Sequence, residues 1–117
     1  MVFDLNKDFI ILNLLQGWEI IHLSKKGKNV IIRLREFPEK PTRFLRATFS
    51  KCAFAVVLDF NNRQTDDFSL FNFKGCIFSQ TTIEGDGIIS IHILRGNEVV
   101  GALKIRPLEI SFGFTSK

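Results

Sequence analysis

Short stretches of alternating apolar and polar residues, each closed by a turn signal after about 8 to 12 residues, constrain this chain more than any other feature. In the clearest stretch, Ile89, Ile91 and Ile93 alternate with Ser90 and His92. Successive strand side chains point to opposite faces, so such a stretch has one apolar and one polar face. No segment carries a long helical period that would cross over a parallel sheet. The sequence therefore predicts an all-β fold, an antiparallel β-sandwich or small β-barrel of about eight strands.

The predicted strands are rich in β-branched and aromatic residues and are flanked by glycine, proline or polar clusters. They cover residues 18–24, 29–36, 43–50, 52–60, 68–73, 76–83, 88–94 and 98–105, and a last strand that starts near residue 108. Residues 52–58 are apolar on both faces, which predicts a central strand covered on both sides. Pro38 and Pro41 cannot donate to a ladder, so residues 37–42 are expected to form a loop.

One short helix is expected before the first strand. Asn6 is a suitable N-terminal cap, and the helix would run to Gln16. Leu5 and Ile10 have the spacing of a hydrophobic staple across that cap. Gly17 would end the helix, because it adopts the left-handed conformation without a steric cost.

The composition favours a single core. The chain has 117 residues, of which 45% are hydrophobic and 13 are Phe, with no Tyr. A chain of this size buries enough surface for one core, so a single domain over residues 1–117 is expected. Phe lacks the polar group with which Tyr and Trp serve wet binding surfaces. We therefore expect the phenylalanines mainly in the core.

The cysteines and the apolar segments indicate the cellular compartment. Cys52 and Cys76 lie inside apolar runs and are expected to be buried, reduced thiols. The apolar stretch 9–15 is interrupted by Asn13 and follows charged residues, unlike a signal peptide or a membrane span. The expected location is therefore the cytoplasm, without membrane insertion.

The positive charge is concentrated in one part of the chain. The net charge of +4 arises in residues 1–60, with ten Lys and Arg against six Asp and Glu, whereas residues 61–117 carry six of each. Residues 25–51 alone hold nine basic and two acidic residues. Charge of one sign on a surface steers and holds an oppositely charged partner. The candidate partner-binding residues are Lys25, Lys26, Lys28, Arg33, Arg35, Arg43 and Arg46.

No catalytic pattern is visible in the sequence. The only histidines, His22 and His92, have no nearby cysteine or carboxylate at the spacing of a metal site or a catalytic triad. Glu84 and Asp86, on either side of Gly85, have the composition of a turn, and their charges would repel a phosphate. We expect a protein that is not an enzyme and has no cofactor and no metal.

Several segments together resemble a known group of proteins. Gly17-Trp18, residues 30–34 and the closing segments 99–105 and 108–112 are similar to small bacterial all-β proteins, including immunity proteins encoded beside toxins. The resemblance spans most of the chain and rests on hydrophobic alternation. It implies a non-enzymatic protein that binds one toxin domain and blocks its active site or its access to substrate, and it transfers no site residues. A basic inhibitor would suit an acidic toxin surface.

Three functions follow as hypotheses, with the oligomeric state left open. The first is binding of a protein with an acidic surface, such as a toxin domain. The second is binding of single-stranded nucleic acid, since residues 71–78 partly match the Lys-Gly-aromatic motif of ribonucleoproteins. The third is an apolar-ligand barrel, which requires an internal cavity of at least ~300 Å³. No carboxylate clamp can be picked out for it, since Arg46 and Arg106 are only candidates for facing inward.

Overall fold

The computed structural model describes residues 5–36, 43–61, 63–68 and 72–115 of the chain, so the predicted loop at 37–42 lies outside the described residues. One helix precedes nine strands in this part of the chain. They are α1 (Leu5–Leu14), β1 (Glu19–Lys26), β2 (Asn29–Arg35), β3 (Phe44–Ser50), β4 (Phe54–Asp59), β5 (Gln64–Thr65), β6 (Ile77–Glu84), β7 (Ile88–Arg95), β8 (Glu98–Arg106) and β9 (Glu109–Thr115). The predicted all-β fold with one short helix is confirmed.

All nine strands belong to one antiparallel sheet, in the order β5-β4-β8-β7-β6-β1-β2-β3-β9. β5 and β9 are the two ends and do not pair with each other, so the described sheet is not closed into a barrel. The junction between β6 and β1 is narrow, with Glu19 opposite Ile77 as its one registered pair. It divides the sheet into the β8 half (β5, β4, β8, β7 and β6) and the β2 half (β1, β2, β3 and β9).

The sheet is curled, so that the inner faces of its two halves meet. β1 and β4 are four strand spacings apart in the sheet, or about 19 Å if the sheet were flat. Nevertheless, Nζ of Lys25 in β1 lies 3.5 Å from the carbonyl oxygen of Ala55 in β4. The same Nζ atom lies 3.4 Å from the carbonyl oxygen of Asp66, beyond β5. Only a curled sheet brings Lys25 within hydrogen-bonding distance of these two carbonyl groups.

Side chains from both halves form one hydrophobic core. The alternation predicted for β7 is confirmed, because Ile89, Ile91 and Ile93 are buried. Phe49 of β3 and Phe78 of β6 are among the largest fully buried side chains. Further core residues come from the other strands and from the loops: Ile20, Val30, Ile32, Leu34, Leu45, Ala47, Ala55, Val57, Phe68, Phe73, Leu103 and Ile105.

The helix differs in detail from the prediction. It begins at Leu5, so Asn6 lies inside it and is not its cap. Ile10 is 59% exposed and does not form the predicted staple, because α1 turns Leu12 toward the core instead. Gly17, with a φ of +96°, adopts the left-handed conformation expected for the residue that ends the helix.

The strand predicted for residues 68–73 is not found at the residues that the structure describes, and 69–71 lie outside them. Phe68, Asn72 and Phe73, the described residues of that stretch, lie outside any strand. Phe68 and Phe73 are buried from a loop instead of from a strand, and the Phe73 ring packs against Gly101 of β8. These residues are apolar because they pack against the core from a loop. Strand propensity alone does not distinguish such residues from those of a paired strand.

β4 is shorter than predicted and lies second from one end of the sheet, not at its centre. Its predicted coverage on both faces is confirmed, because Ala55, Val56 and Val57 are buried in succession. Cys52 and Cys76 are buried and free, as expected. Burial raises the pKa of the Cys52 thiol, so a smaller fraction of this cysteine is the reactive thiolate at neutral pH.

Gly101 has no room for a side chain. A Cβ there would lie 2.7 Å from the carbonyl oxygen of Leu58 and 2.8 Å from the Phe73 ring. We expect Gly101→Ala to lower the free energy of unfolding by about 1 to 3 kcal/mol, because the backbone oxygen cannot move aside. Urea denaturation followed by the fluorescence of Trp18, the single tryptophan, measures the change.

Gly113→Ala in β9 is the matched control. A Cβ at Gly113 meets no atom within 4 Å. This variant should leave stability unchanged or raise it by up to about 1 kcal/mol, because alanine reduces the freedom of the unfolded chain. Equal losses of stability in the two variants would contradict the close packing around Gly101.

Candidate binding surface

A row of four directly opposite residues, two of them arginines, crosses the outer face of the β2 half, the face that points away from the core. Arg33 of β2 lies directly opposite Arg46 of β3. His22 of β1 lies opposite Arg33, and Gly113 of β9 lies opposite Arg46. Directly opposite residues of antiparallel strands point to the same face. We call this line across four strands, His22, Arg33, Arg46 and Gly113, the cationic row.

Two more of the predicted basic residues share this outer face. Lys26, at the end of β1, is exposed opposite Asn29. Arg35 lies two residues after Arg33 in β2 and forms an ion pair with Glu19. Since that carboxylate offsets the charge of Arg35, the available positive charge of the face comes mainly from the cationic row and Lys26.

Arg33 and Arg46 repel each other across the strand pair. Opposite side chains on one face have their Cβ atoms about 4.5 to 5.5 Å apart, and like charges in this position destabilise a sheet. Among the described residues, no carboxylate forms an ion pair with Arg46. A bound anionic group would relieve this repulsion, and this makes the pair a candidate anion-binding feature.

A shallow depression of about 320 Å³ lies beside Arg46 between β3 and β9. Thr48 and Ser111 contribute hydroxyl groups to its lining, and Gly113 leaves it open because it has no side chain. Hydroxyl and guanidinium donors together suit a carboxylate. The sequence analysis missed these hydroxyl residues, because only the pairing of β3 with β9 brings them beside Arg46.

Lys25 is a structural residue and not part of the outer face. It pairs with the fully buried Val30, which places it on the inner face of the sheet. Its Nζ atom donates to the carbonyl oxygens of Ala55 at 3.5 Å and Asp66 at 3.4 Å. It also lies 5.6 Å from the centre of the Phe68 ring. Lys25 therefore joins the two halves of the sheet.

The neighbouring lysines of β1 provide a matched test of this assignment. We expect Lys25→Met to lower the free energy of unfolding by about 0.5 to 1.5 kcal/mol, because it removes two hydrogen bonds between the halves. Lys26→Met removes an exposed charge and should change stability by no more than about 0.5 kcal/mol. Urea denaturation measures both, and a larger loss for Lys26→Met would contradict the structural role of Lys25.

Arg43 is held at the other end of the β2 half. Its Nε atom donates to Oε1 of Glu36 at 2.7 Å, and a second nitrogen binds Oε2. The guanidinium lies 5.8 Å from the centre of the Trp18 ring and 5.7 Å from that of Phe114. These partners remove Arg43 from the outer face, although Lys28 remains exposed in the β1–β2 turn.

The Glu36–Arg43 pair makes stability depend on pH. The hydrogen bond from Arg43 lowers the pKa of Glu36 below its ordinary value. A lowered pKa stabilises the folded state above the pKa of the unfolded chain, about 4.3, and this contribution is lost as the pH falls through the folded value. We expect the urea midpoint to fall between about pH 5 and pH 3, and to fall less in Glu36→Gln. Parallel pH profiles of the two proteins would contradict this assignment.

A second depression, of about 300 Å³, lies on the outer face of the β8 half. Ser90 and His92 line it together with Glu84 and Lys104, which form an ion pair at 3.0 Å. In the described ranges, no three histidine, cysteine or acidic side chains are grouped closely enough to hold a metal ion. The ion pair neutralises much of the local charge, so this depression is a weaker candidate for binding a charged partner than the cationic row.

Comparisons with known proteins add no relative. No protein-family model, no curated protein and no solved structure matches this chain. In the part of the chain that the structure describes, no helix has the length and apolar character needed to cross a bilayer. The candidate binding surface therefore rests on the geometry of the cationic row.

Proposed function

We propose that this protein is a non-enzymatic binding domain that recognises an acidic surface of another protein through the outer face of the β2 half. The observation that carries the proposal is the cationic row, in which Arg33 and Arg46 lie directly opposite each other. Two guanidinium groups on one face form a local concentration of positive charge that suits carboxylates. Binding of this kind requires no catalytic group.

The charges around the row support this direction. Four basic and two acidic side chains of the described strands lie on this face, so its net charge is positive. They are Lys26, Arg33, Arg35, Arg46, Glu19 and Glu109. A positive excess on an exposed face accelerates encounter with an acidic partner and disfavours basic partners.

A bacterial toxin domain is the partner that we propose, in line with the resemblance to immunity proteins. An inhibitor of this class acts by covering its target, so an exposed sheet face that carries positive charge is sufficient. The proposed site of action is the cytoplasm, where such an inhibitor would protect the cell that produces the toxin.

The exposed phenylalanines do not favour nucleic-acid binding. Base stacking needs aromatic rings on the same face as the positive charges. Among the described residues, the most exposed phenylalanines are Phe60 at 72% and Phe114 at 68%. Phe60 follows β4 in the β8 half, and Phe114 lies opposite the buried Leu45, on the inner side of the sheet. Phe114 lines the depression beside Arg46 from the inner side of the sheet. On the outer face, the described strands of the β2 half place a single phenylalanine, the half-buried Phe44 opposite Arg35, and not a series of rings.

The hypothesis of an apolar-ligand barrel loses its carboxylate clamp. Arg46 and Arg106, the two candidates for an inward-facing clamp, are both exposed. Arg46 lies on the outer face because its neighbours in β3, Leu45 and Ala47, take the inner positions. Neither arginine therefore supplies an inward-facing clamp.

A charge reversal on the outer face tests the proposal. Tagged protein is purified from its native host at low ionic strength, together with a Lys26→Glu/Arg33→Glu variant. We expect a stoichiometric protein partner with the unchanged chain, and a loss of at least about tenfold in its recovery with the variant. The partner should be the product of the neighbouring gene, and the chain should neutralise its toxicity on co-expression.

The control variant carries the same change in charge elsewhere. Lys74→Glu/Arg106→Glu alters two exposed residues outside the β2 half and should retain the partner. A short fluorescent oligonucleotide at about 50 mM salt tests the alternative, because phosphate contacts are strong under these conditions. Tight, salt-sensitive binding of that oligonucleotide, or a chain that repeatedly purifies alone, would contradict the proposal.

A further inference from the structure

We infer that this protein associates with a second copy of itself through the outer edge of β9, as a twofold-symmetric antiparallel strand pair centred on Ser111. This inference goes beyond the proposed function and does not depend on it. A second copy is the expected partner of this edge because the edge of β9 is complementary to itself in hydrogen bonds, apolar surface and charge.

β9 offers a strand edge suited to pairing. One side of β9 pairs with β3 along the whole strand, and no described strand pairs with its other side. Natural edge strands are usually protected by lysine, proline or a bulge. β9 contains neither lysine nor proline, and its pairing with β3 is regular from Glu109 to Thr115. It therefore presents unpaired backbone groups on a regular strand.

The hydrogen-bonding phase shows which residues of β9 direct their backbone groups outward. The N–H of Glu36 donates to the carbonyl oxygen of Arg43 at 2.8 Å, which identifies a hydrogen-bonded pair between β2 and β3. Because such pairs alternate along a strand, alternate residues of β3, including Arg46, bond to β9. The N–H and C=O groups of Ile110 and Phe112 consequently point to the outer edge.

A pair centred on Ser111 matches these groups. It places Ile110 opposite Phe112 of the second copy, as a hydrogen-bonded pair, and the symmetry repeats the arrangement. About four main-chain hydrogen bonds result. If one copy of β9 is shifted along the other by an odd number of residues, backbone groups that point to the outer edge meet residues whose groups point to β3. Only shifts by an even number of residues therefore allow pairing.

Two exposed apolar side chains are brought together by the same register. Leu108 lies in the bend just before β9, where its N–H donates to the carbonyl oxygen of Ser50, and its side chain comes to lie near Phe114 of the second copy. In the single chain these side chains are 41% and 68% exposed, respectively, and both belong to the small set of large hydrophobic side chains exposed in the described residues. Pairing them covers both, twice per dimer, which adds the hydrophobic contribution that a lone strand pair lacks.

The charges select this register among those that the hydrogen bonds permit. Glu109 comes to lie opposite Gly113 of the second copy, on the outer face and in line with the cationic row. The Cα of Glu109 in one copy is two strand spacings, or about 10 Å, from the Cα of Arg46 in the other copy. The two side chains can bridge this distance. Gly113 has no side chain and open space around it. The other permitted registers move Glu109 away from the row, to face Ser111 or Thr115.

The resulting dimer would be isologous, with each contact occurring twice. Arg46 of each copy is then neutralised by Glu109 of the other, whereas Lys26 and the half-buried Arg33 remain on the outer face for an acidic partner. One strand pair buries less than the ~1,200 Å² typical of stable complexes, so we expect a weak dimer, half-formed at about 10 to 100 µM.

Sedimentation velocity from about 5 to 300 µM tests the association, since this range spans the expected midpoint. We expect the unchanged chain to shift from monomer to dimer, and a Leu108→Glu/Phe114→Glu variant to remain monomeric at the highest concentration. The matched control is Phe60→Glu/Val99→Glu, which alters two similarly exposed residues of the β8 half, at 72% and 52%. Urea denaturation verifies that both variants fold.

Disulfide trapping tests the register. At the symmetry axis, Ser111→Cys places two Cα atoms about 4.5 Å apart, within the range of a disulfide. Glu109→Cys places its two copies about 14 Å apart along the strands, too far for a bond. We expect rapid oxidation to a covalent dimer only for Ser111→Cys, while the buried Cys52 and Cys76 leave the unchanged chain monomeric in the same assay.

Three results would overturn the inference. They are a monomer at about 300 µM, well above the expected midpoint; a dimer that survives Leu108→Glu/Phe114→Glu; and equal oxidation of the two cysteine variants. The proposed function fails separately, because Lys26→Glu/Arg33→Glu removes partner binding and should leave the dimer unchanged.

Discussion

The contact between the β1–β2 hairpin and the start of β4 holds the curl on which the rest of the structure depends. An open antiparallel sheet has one apolar face that it must cover, and here the sheet covers that face with itself. Lys25 supplies two hydrogen bonds where the two halves meet, to the carbonyl oxygens of Ala55 and Asp66. Without this closure, the inner residues of each half, such as Ile32 and Leu103, would face water.

The same curl divides the basic residues into those that maintain the structure and those that are available for binding. Lys25 is engaged inside the closure, and Arg43 is held by Glu36 between two aromatic rings. Arg33 and Arg46 lie opposite each other on the outer face, where Arg33 is half-buried and Arg46 is exposed. The basic segment is thus continuous in sequence, but only part of it forms a surface.

Local patterns predicted much of the fold. Alternation located β2, β3, β6, β7 and β8 to within a few residues, and Gly17 was correctly expected to end the helix. The errors arose where burial comes from a distant segment. Phe68 and Phe73 are apolar because they plug the core from a loop, and β4 is covered on both faces although it lies near an end of the sheet.

The sequence by itself determined the class of fold and the part of the chain that carries the charge, since both follow from residue type and short-range periodicity. Tertiary structure alone decided which charges act together. A β-bulge between Ile20 and His22 shifts the phase of β1, so that Lys25 faces inward and His22 outward. The pairing of β3 with β9 then brings Arg46 beside Gly113. Strand pairing between distant segments depends on the packing of the whole sheet, which no local pattern records.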